Sequence, residues 1–274
     1  MDDTPHARAS GPQEDNAALL GPDDPPAFEA INEDGACALQ LVCDHASRAV
    51  PAGLQNLGLS GAQFEHHIAY DIGAGDVTHL LARRLDAQAI LAGYSRLVID
   101  VNRPPGHLES IPETSDETVI PGNQGLSEYD QGERVSSLFE PYHDAIHEAL
   151  AHLWRRGAPP ALFSIHSFCP EFGDGHRPWD IGVLWNRDPR IAQPLIEKLS
   201  KLGLHVGDNL PYSGLELAYT LNLHGGAAGL PNCVVEINQD QVRDRTGIER
   251  WADILASVME EILQIDGLHQ VKEY

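Results

Sequence analysis

Two histidines stand at the ends of apolar runs, His45 in LVCDHAS and His166 in LFSIHSF. Imidazole is a common zinc ligand, and a catalytic zinc takes three protein ligands and keeps one position open. One such histidine alone reads equally well as structural or exposed. Two of them closing separate strands can converge above one sheet edge, and an oxygen donor would be the usual third ligand. A further polar residue interrupts an apolar run: Glu236 in VVEINQD. Burying a lone carboxylate is costly unless it is paired or functional. Glu236 is therefore either the partner of an arginine or a general base that moves a proton between water and a leaving amine.

Arg96 and Arg103 flank LVIDVN, and Asn102 precedes Arg103. A guanidinium presents a planar fork of donors that fits a carboxylate or a developing oxyanion. Each arginine could equally pair with Asp100 or Asp71 and hold a loop. Asn102 could add a hydrogen bond to a substrate carboxylate. His224, in the glycine-rich LNLHGGAAGLP, could line the same site. His66, His67, His143 and His147 fall in helical or loop patterns and are expected to be solvated.

Other chemistries lack their signatures. No GxGxxG or GK[ST] follows a strand, and Ser47, Ser164 and Ser167 are not in a GxSxG elbow. The four cysteines form no CxxC pair and mostly sit in or beside apolar runs, as in a reduced cytoplasmic protein. A formal charge of −23 argues against nucleic acid or an anionic membrane as partner and says little about a small-molecule substrate, since a cationic pocket can sit inside an acidic shell. No stretch reaches the ~18 apolar residues of a membrane span.

The elements that must position these groups are legible from periodicity. Strands are expected at Ala38–Val42, Ala87–Leu91, Leu97–Val101, Ala161–Ile165, Ile181–Trp185 and Cys233–Ile237. Helices are expected over Asp76–Leu85, over Tyr129–Arg156 with a break at Pro141, and over Ile191–Leu202 and Ile248–Leu263. Glu109–Leu126 reads as a long polar loop. Strands alternating with helices imply one α/β domain with a largely parallel sheet covered on both faces. Such sheets carry their sites beyond the carboxyl ends of the strands, where His45, Asn102, Arg103 and His166 fall. The proline- and aspartate-rich start suggests a poorly ordered tail over residues 1–30, with the domain at 31–274.

The stretches YDIGAGDVTHLLARRL, YSRLVIDVNRPP, ETSDETVIPGNQGLS, PYHDAI, FSIHSF and LPNCVVEINQD, in this order, resemble the N-formylglutamate amidohydrolase family. That family is similar to the zinc carboxypeptidases and aspartoacylases, which implies a central mixed, mostly parallel sheet flanked by helices. The resemblance implies one Zn2+ per chain held by His45 and His166. It further implies Glu236 as base, Asn102 and Arg103 as the grip on a substrate carboxylate, and Arg96 as a carbonyl polariser. Carboxypeptidases place a glutamate ligand three residues after the first histidine, where this chain has Arg48. The third ligand must come from elsewhere, and Asp71 in AYDIGAG is the candidate; it could also serve as a helix cap or an arginine's partner. The implied activity is hydrolysis of a small N-formyl or N-acyl amino acid. The alternatives are a small carboxypeptidase, another deacylase, or a catalytically silent binding protein.

Overall fold

The computed structural model describes residues 18–172 and 175–274. Seven strands form one sheet: β1 (Phe28–Ile31), β2 (Leu39–Cys43), β3 (Gln88–Ala92), β4 (Ala161–Phe168), β5 (Ile181–Leu184), β6 (Val206–Asp208) and β7 (Asn232–Asn238). Their order is β1-β3-β2-β4-β7-β5-β6. The β3-β2-β4-β7 centre is parallel, while β1 against β3 and β5 against β7 are antiparallel. The architecture is thus the expected α/β sheet, mixed and mostly parallel.

Every residue of β2, β3, β4 and β7 is buried, which is why these strands read as continuous rather than alternating runs. Side chains still alternate in space. Leu41, Phe163 and Val235 face α1 (Ala74–Leu85), α4 (Pro189–Lys201) and α5 (Arg245–Leu263). Val42, Leu162 and Val234 face the opposite layer with α3 (Glu140–Arg156). His166 and Glu236 share the parity of Leu162 and Val234, and the two residues lie level on adjacent strands.

The helices begin and end for local reasons. Gly73 precedes α1 at φ 77, and a Cβ there would lie 2.4 Å from the Val242 carbonyl oxygen, so only glycine lets the chain turn there right after Asp71. The long helical pattern is broken as expected near Pro141. Here α2 (Glu128–Arg134) passes through a π-helical turn, Val135–Phe139, into α3, whose first turn takes the proline.

Three expectations are corrected. The boundary at residue 30 falls inside β1, and Leu19, Leu20 and Phe28 pack on the core; residues 1–17 of the expected tail lie outside the described residues. The loop after Glu109 contains a small hairpin, Thr114–Ser115 against Thr118–Val119. Leu97–Val101 is not a strand but a buried irregular segment. Its apolar side chains fill the core as a strand's would, yet its backbone groups bond outside the sheet. The carbonyl of Leu97 accepts from Asn123 Nδ2 (2.8 Å), that of Val98 from Arg134 (2.8 Å), and that of Val101 from His143 Nε2 (2.9 Å).

Arg134 is 1 % exposed and donates to Val98 O, Asn123 Oδ1 and Gly122 O. Arg134→Leu would orphan these acceptors at ~1–3 kcal/mol each when buried. Urea unfolding is expected to show a loss of at least about 3 kcal/mol, and an unchanged midpoint would remove Arg134 as the anchor of this segment.

Candidate active site

His45 is the second residue after β2, His166 lies near the end of β4, and Asp71 enters from the turn ahead of α1. One ligand atom from each lies within 4.8 Å of the others, and all three residues are buried. The rings turn the same way. His45 directs Nε2 at Asp100 Oδ1 (2.7 Å) and Nδ1 at Asp71 Oδ2 (3.5 Å). His166 directs Nε2 at Asp44 Oδ2 (2.9 Å) and Nδ1 at Asp71 Oδ2 (2.9 Å). A carboxylate only accepts, so each Nε2 carries the donated proton and a neutral ring then shows Asp71 a lone pair. Acceptor facing acceptor at this range requires a cation between them, either a proton or a metal ion.

The charges point the same way. Burial opposes ionisation of His166, but Asp44 and Asp71 outweigh it and push its pKa well up. Burial likewise raises Asp44 and Asp71, and the two histidines overcome this, holding Asp44 at about 2 and Asp71 lower still. His45 Nδ1 and Glu236 Oε2 are buried without a hydrogen-bond partner among the described residues, a rare condition that calls for an unseen partner. Two imidazole nitrogens and a carboxylate oxygen are a donor set that suits zinc and leaves a position open. The residues therefore fit a divalent ion.

Glu236 sits level with His166 on the neighbouring strand. Burial pushes its pKa up to about 7 against the pull of His166. A carboxyl group poised there can take and return a proton near neutrality.

A cavity of about 130 Å³ opens over these groups, lined among others by Arg96, Asn102, Arg103, Ser167, Tyr212 and Glu236. Arg96 pairs with Asp100 Oδ2 (2.8 Å) and leans towards Asp71 Oδ1 (3.6 Å), and its half-buried guanidinium still borders the cavity. Arg103 donates to its neighbour's carbonyl at Asn102 and to exposed Glu109. Asn102, expected to bind substrate, lines the cavity, and its side chain also donates to Leu217 O and accepts from Thr220 N. It ties down the wall of the cavity.

His224 is displaced from its expected role, because it does not line this cavity. It stacks on His143 with ring centroids 5.1 Å apart, and their facing nitrogens are 2.8 Å apart. His143 is correspondingly buried rather than solvated, and its Nε2–H donates to Val101 O. Four site residues went unread in the sequence: Asp44, Tyr142, Ser167 and Tyr212. Asp44 carried a usable signal, an acid at the end of an apolar strand as with Glu236. Tyr212, in an irregular loop, carried none.

With this geometry in hand, the comparisons are informative. The sequence matches the model of the N-formylglutamate amidohydrolase family over residues 37–243. The gene product Atu2144 from Agrobacterium tumefaciens is 32% identical with a TM-score of 0.87, over 89% of this chain and 98% of that one. N-formylglutamate amidohydrolase from Ralstonia eutropha JMP134 is 17% identical with a TM-score of 0.64, over 86% of this chain and 97% of that one, and shares the fold. No curated protein matches the chain. The chain belongs to the N-formylglutamate amidohydrolase family, and the chemistry this supports is amide hydrolysis.

The His143–His224 pair gives a pH test. Burial lowers both, His224 to about 4, against an ordinary value of ~6.5 when unfolded. The stability they contribute is complete above ~6.5 and lost as pH falls towards the folded value, since the unfolded chain binds protons first. Wild type should therefore lose more unfolding free energy between pH 7 and pH 5 than His224→Leu in parallel urea titrations. Equal losses would mean that the pair is not held neutral.

Proposed function

We propose that this chain hydrolyses the amide of a small N-formyl or N-acyl amino acid, of the N-formylglutamate kind, with a zinc ion held by His45, His166 and Asp71. The observation that carries this reading is the unpartnered, buried Glu236 carboxylate beside the three-donor cluster, under a cavity bordered by two arginines. When bound, the ion supplies Lewis acidity that makes water a competent nucleophile near neutral pH. Glu236 takes a proton from the attacking water and delivers it to the leaving amine. Arg96, fixed by Asp100, turns its cavity-facing donors to the oxygen that gains charge. Arg103 holds the substrate carboxylate with its planar fork.

Elemental analysis should find one zinc per wild-type chain, strongly reduced in His45→Ala and His166→Ala; unchanged content in both would remove the site. Glu236→Gln should keep its metal and lose ~10²–10⁴-fold in kcat, and near-normal turnover would return Glu236 to a structural role.

The substrate class is tested separately by comparing kcat/KM for N-formylglutamate and its amide-capped analogue. Hydrogen bonds to a charged group contribute ~1.5–3 kcal/mol, roughly 10- to 150-fold. The free acid should be preferred by that margin, and Arg103→Lys should lose most of it. Equal rates on the wild type would sink the carboxylate grip.

A further inference from the structure

Asp44 is 2 % exposed. Its Oδ2 faces His166 Nε2 at 2.9 Å, and its Oδ1 accepts from the Tyr142 hydroxyl at 2.7 Å. Among the described residues no arginine or lysine pairs with it. Asp100, which plays the matching part for His45, is answered differently: Arg96 binds its second oxygen, and the Asn102 N–H donates to its first (2.9 Å). A carboxylate this deep is costly unless an opposite charge answers it. A phenol is neutral, so Tyr142 can fix Asp44 in place but cannot balance it. The balancing charge must lie on the far side of the His166 ring, at Nδ1, where Asp71 also points.

We propose that Asp44, held by Tyr142, is a positioning residue that sets how tightly the His45–Asp71–His166 cluster holds its cation, acting through His166. The proposal rests on the metal reading above and adds to it a residue outside the donor set. By accepting the Nε2 proton, Asp44 locks the ring's tautomer and rotation and makes Nδ1 the better donor. Its place in the chain strengthens the effect. Val42 lies opposite Ser164 across β2 and β4, so two residues further along both strands Asp44 comes level with His166. Asp44 and His45 are consecutive, and one dipeptide thus supplies one ligand and orients the other. Tyr142 reaches in from α3, which packs on the same face of the sheet as Val42 and Leu162, so the packing of that helix bears on the cation.

Two variants test this with Zn2+ alone as probe, its dissociation constant read by competition with a chromophoric chelator. Asp44→Asn keeps the shape and an acceptor for Nε2–H but removes the charge. Tyr142→Phe keeps the charge and removes its anchor. Zn2+ binding should weaken ~10- to 100-fold in Asp44→Asn, and roughly twofold to tenfold in Tyr142→Phe, the range of one net hydrogen bond. The absorption bands of the Co2+-loaded protein should also shift in Asp44→Asn, because the donor strength of His166 changes, whereas a residue needed only for folding would leave them in place. If wild type binds one equivalent of Zn2+ and both variants match it within twofold, the role of Asp44 is overturned while the metal site stands. If wild type takes up no Zn2+, both fall together. Should Asp44→Asn not fold, a wild-type affinity in Tyr142→Phe overturns the proposal on its own.

Discussion

Four carboxyl groups, Asp44, Asp71, Asp100 and Glu236, are buried around one point at the end of the parallel sheet. Of the two arginines bordering the same cavity, only Arg96 pairs with any of them. Desolvating like charges in such number is among the most expensive things a fold can do. Much of the site can be understood as the means of containing that cost. Asp100 is answered by a guanidinium, Asp44 and Asp71 by imidazoles, and Glu236 by a pKa raised until its own charge is in question. What remains over is negative and calls for a cation where the two Nδ1 atoms and Asp71 converge.

That convergence needs two kinds of backbone. The parallel strands β2, β4 and β7 end on one edge of the sheet and bring His45, His166 and Glu236 together with little freedom. Asp100, Asn102 and Arg103 cannot come from such a strand, because three near-consecutive polar groups must all face one side. The irregular segment from residue 95 to 103 solves this, at the cost of carbonyls that no sheet neighbour can satisfy. Arg134, Asn123 and His143 supply those hydrogen bonds from the helical layer and the loop before it. The irregularity of the segment and the buried polar residues behind it are one feature, since neither is tolerable without the other.

This explains which parts of the protein could be read in the sequence. Continuous apolar runs announced β2, β3, β4, β5 and β7, the ends of two of them announced His45 and His166, and the acid interrupting another announced Glu236, because burial on both faces leaves a plain pattern. Leu97–Val101 carries the same pattern for a different reason: its side chains are core, but its hydrogen bonds are not those of a strand, and hydropathy reports only the side chains. His224 was misplaced, and the internal bonds of Asn102 were missed, for a related cause. Residue type indicates what a group can bond to and not whether a backbone neighbour has already claimed it. Thr220 N and Leu217 O claim Asn102; His143 claims His224.

The acidity of the whole chain sets a last constraint on how such a site can work. At a formal charge of −23 the protein repels an anionic substrate at long range, whereas steering would normally raise the association rate. The repulsion is screened over ~8 Å at physiological ionic strength. For a substrate of the kind proposed above, recognition of its carboxylate would then be local, within the small cavity that Arg103 borders. There the low dielectric strengthens each contact, and the surface charge is largely screened. An acidic shell around a pocket with a guanidinium at its wall therefore costs encounter rate more than affinity. The guanidinium of Arg103 suits that arrangement, because it sits at the cavity wall with only an exposed glutamate as its acidic partner. Under the proposed reading, a substrate carboxylate would take the place of Glu109, replacing a weak surface ion pair with a more enclosed one.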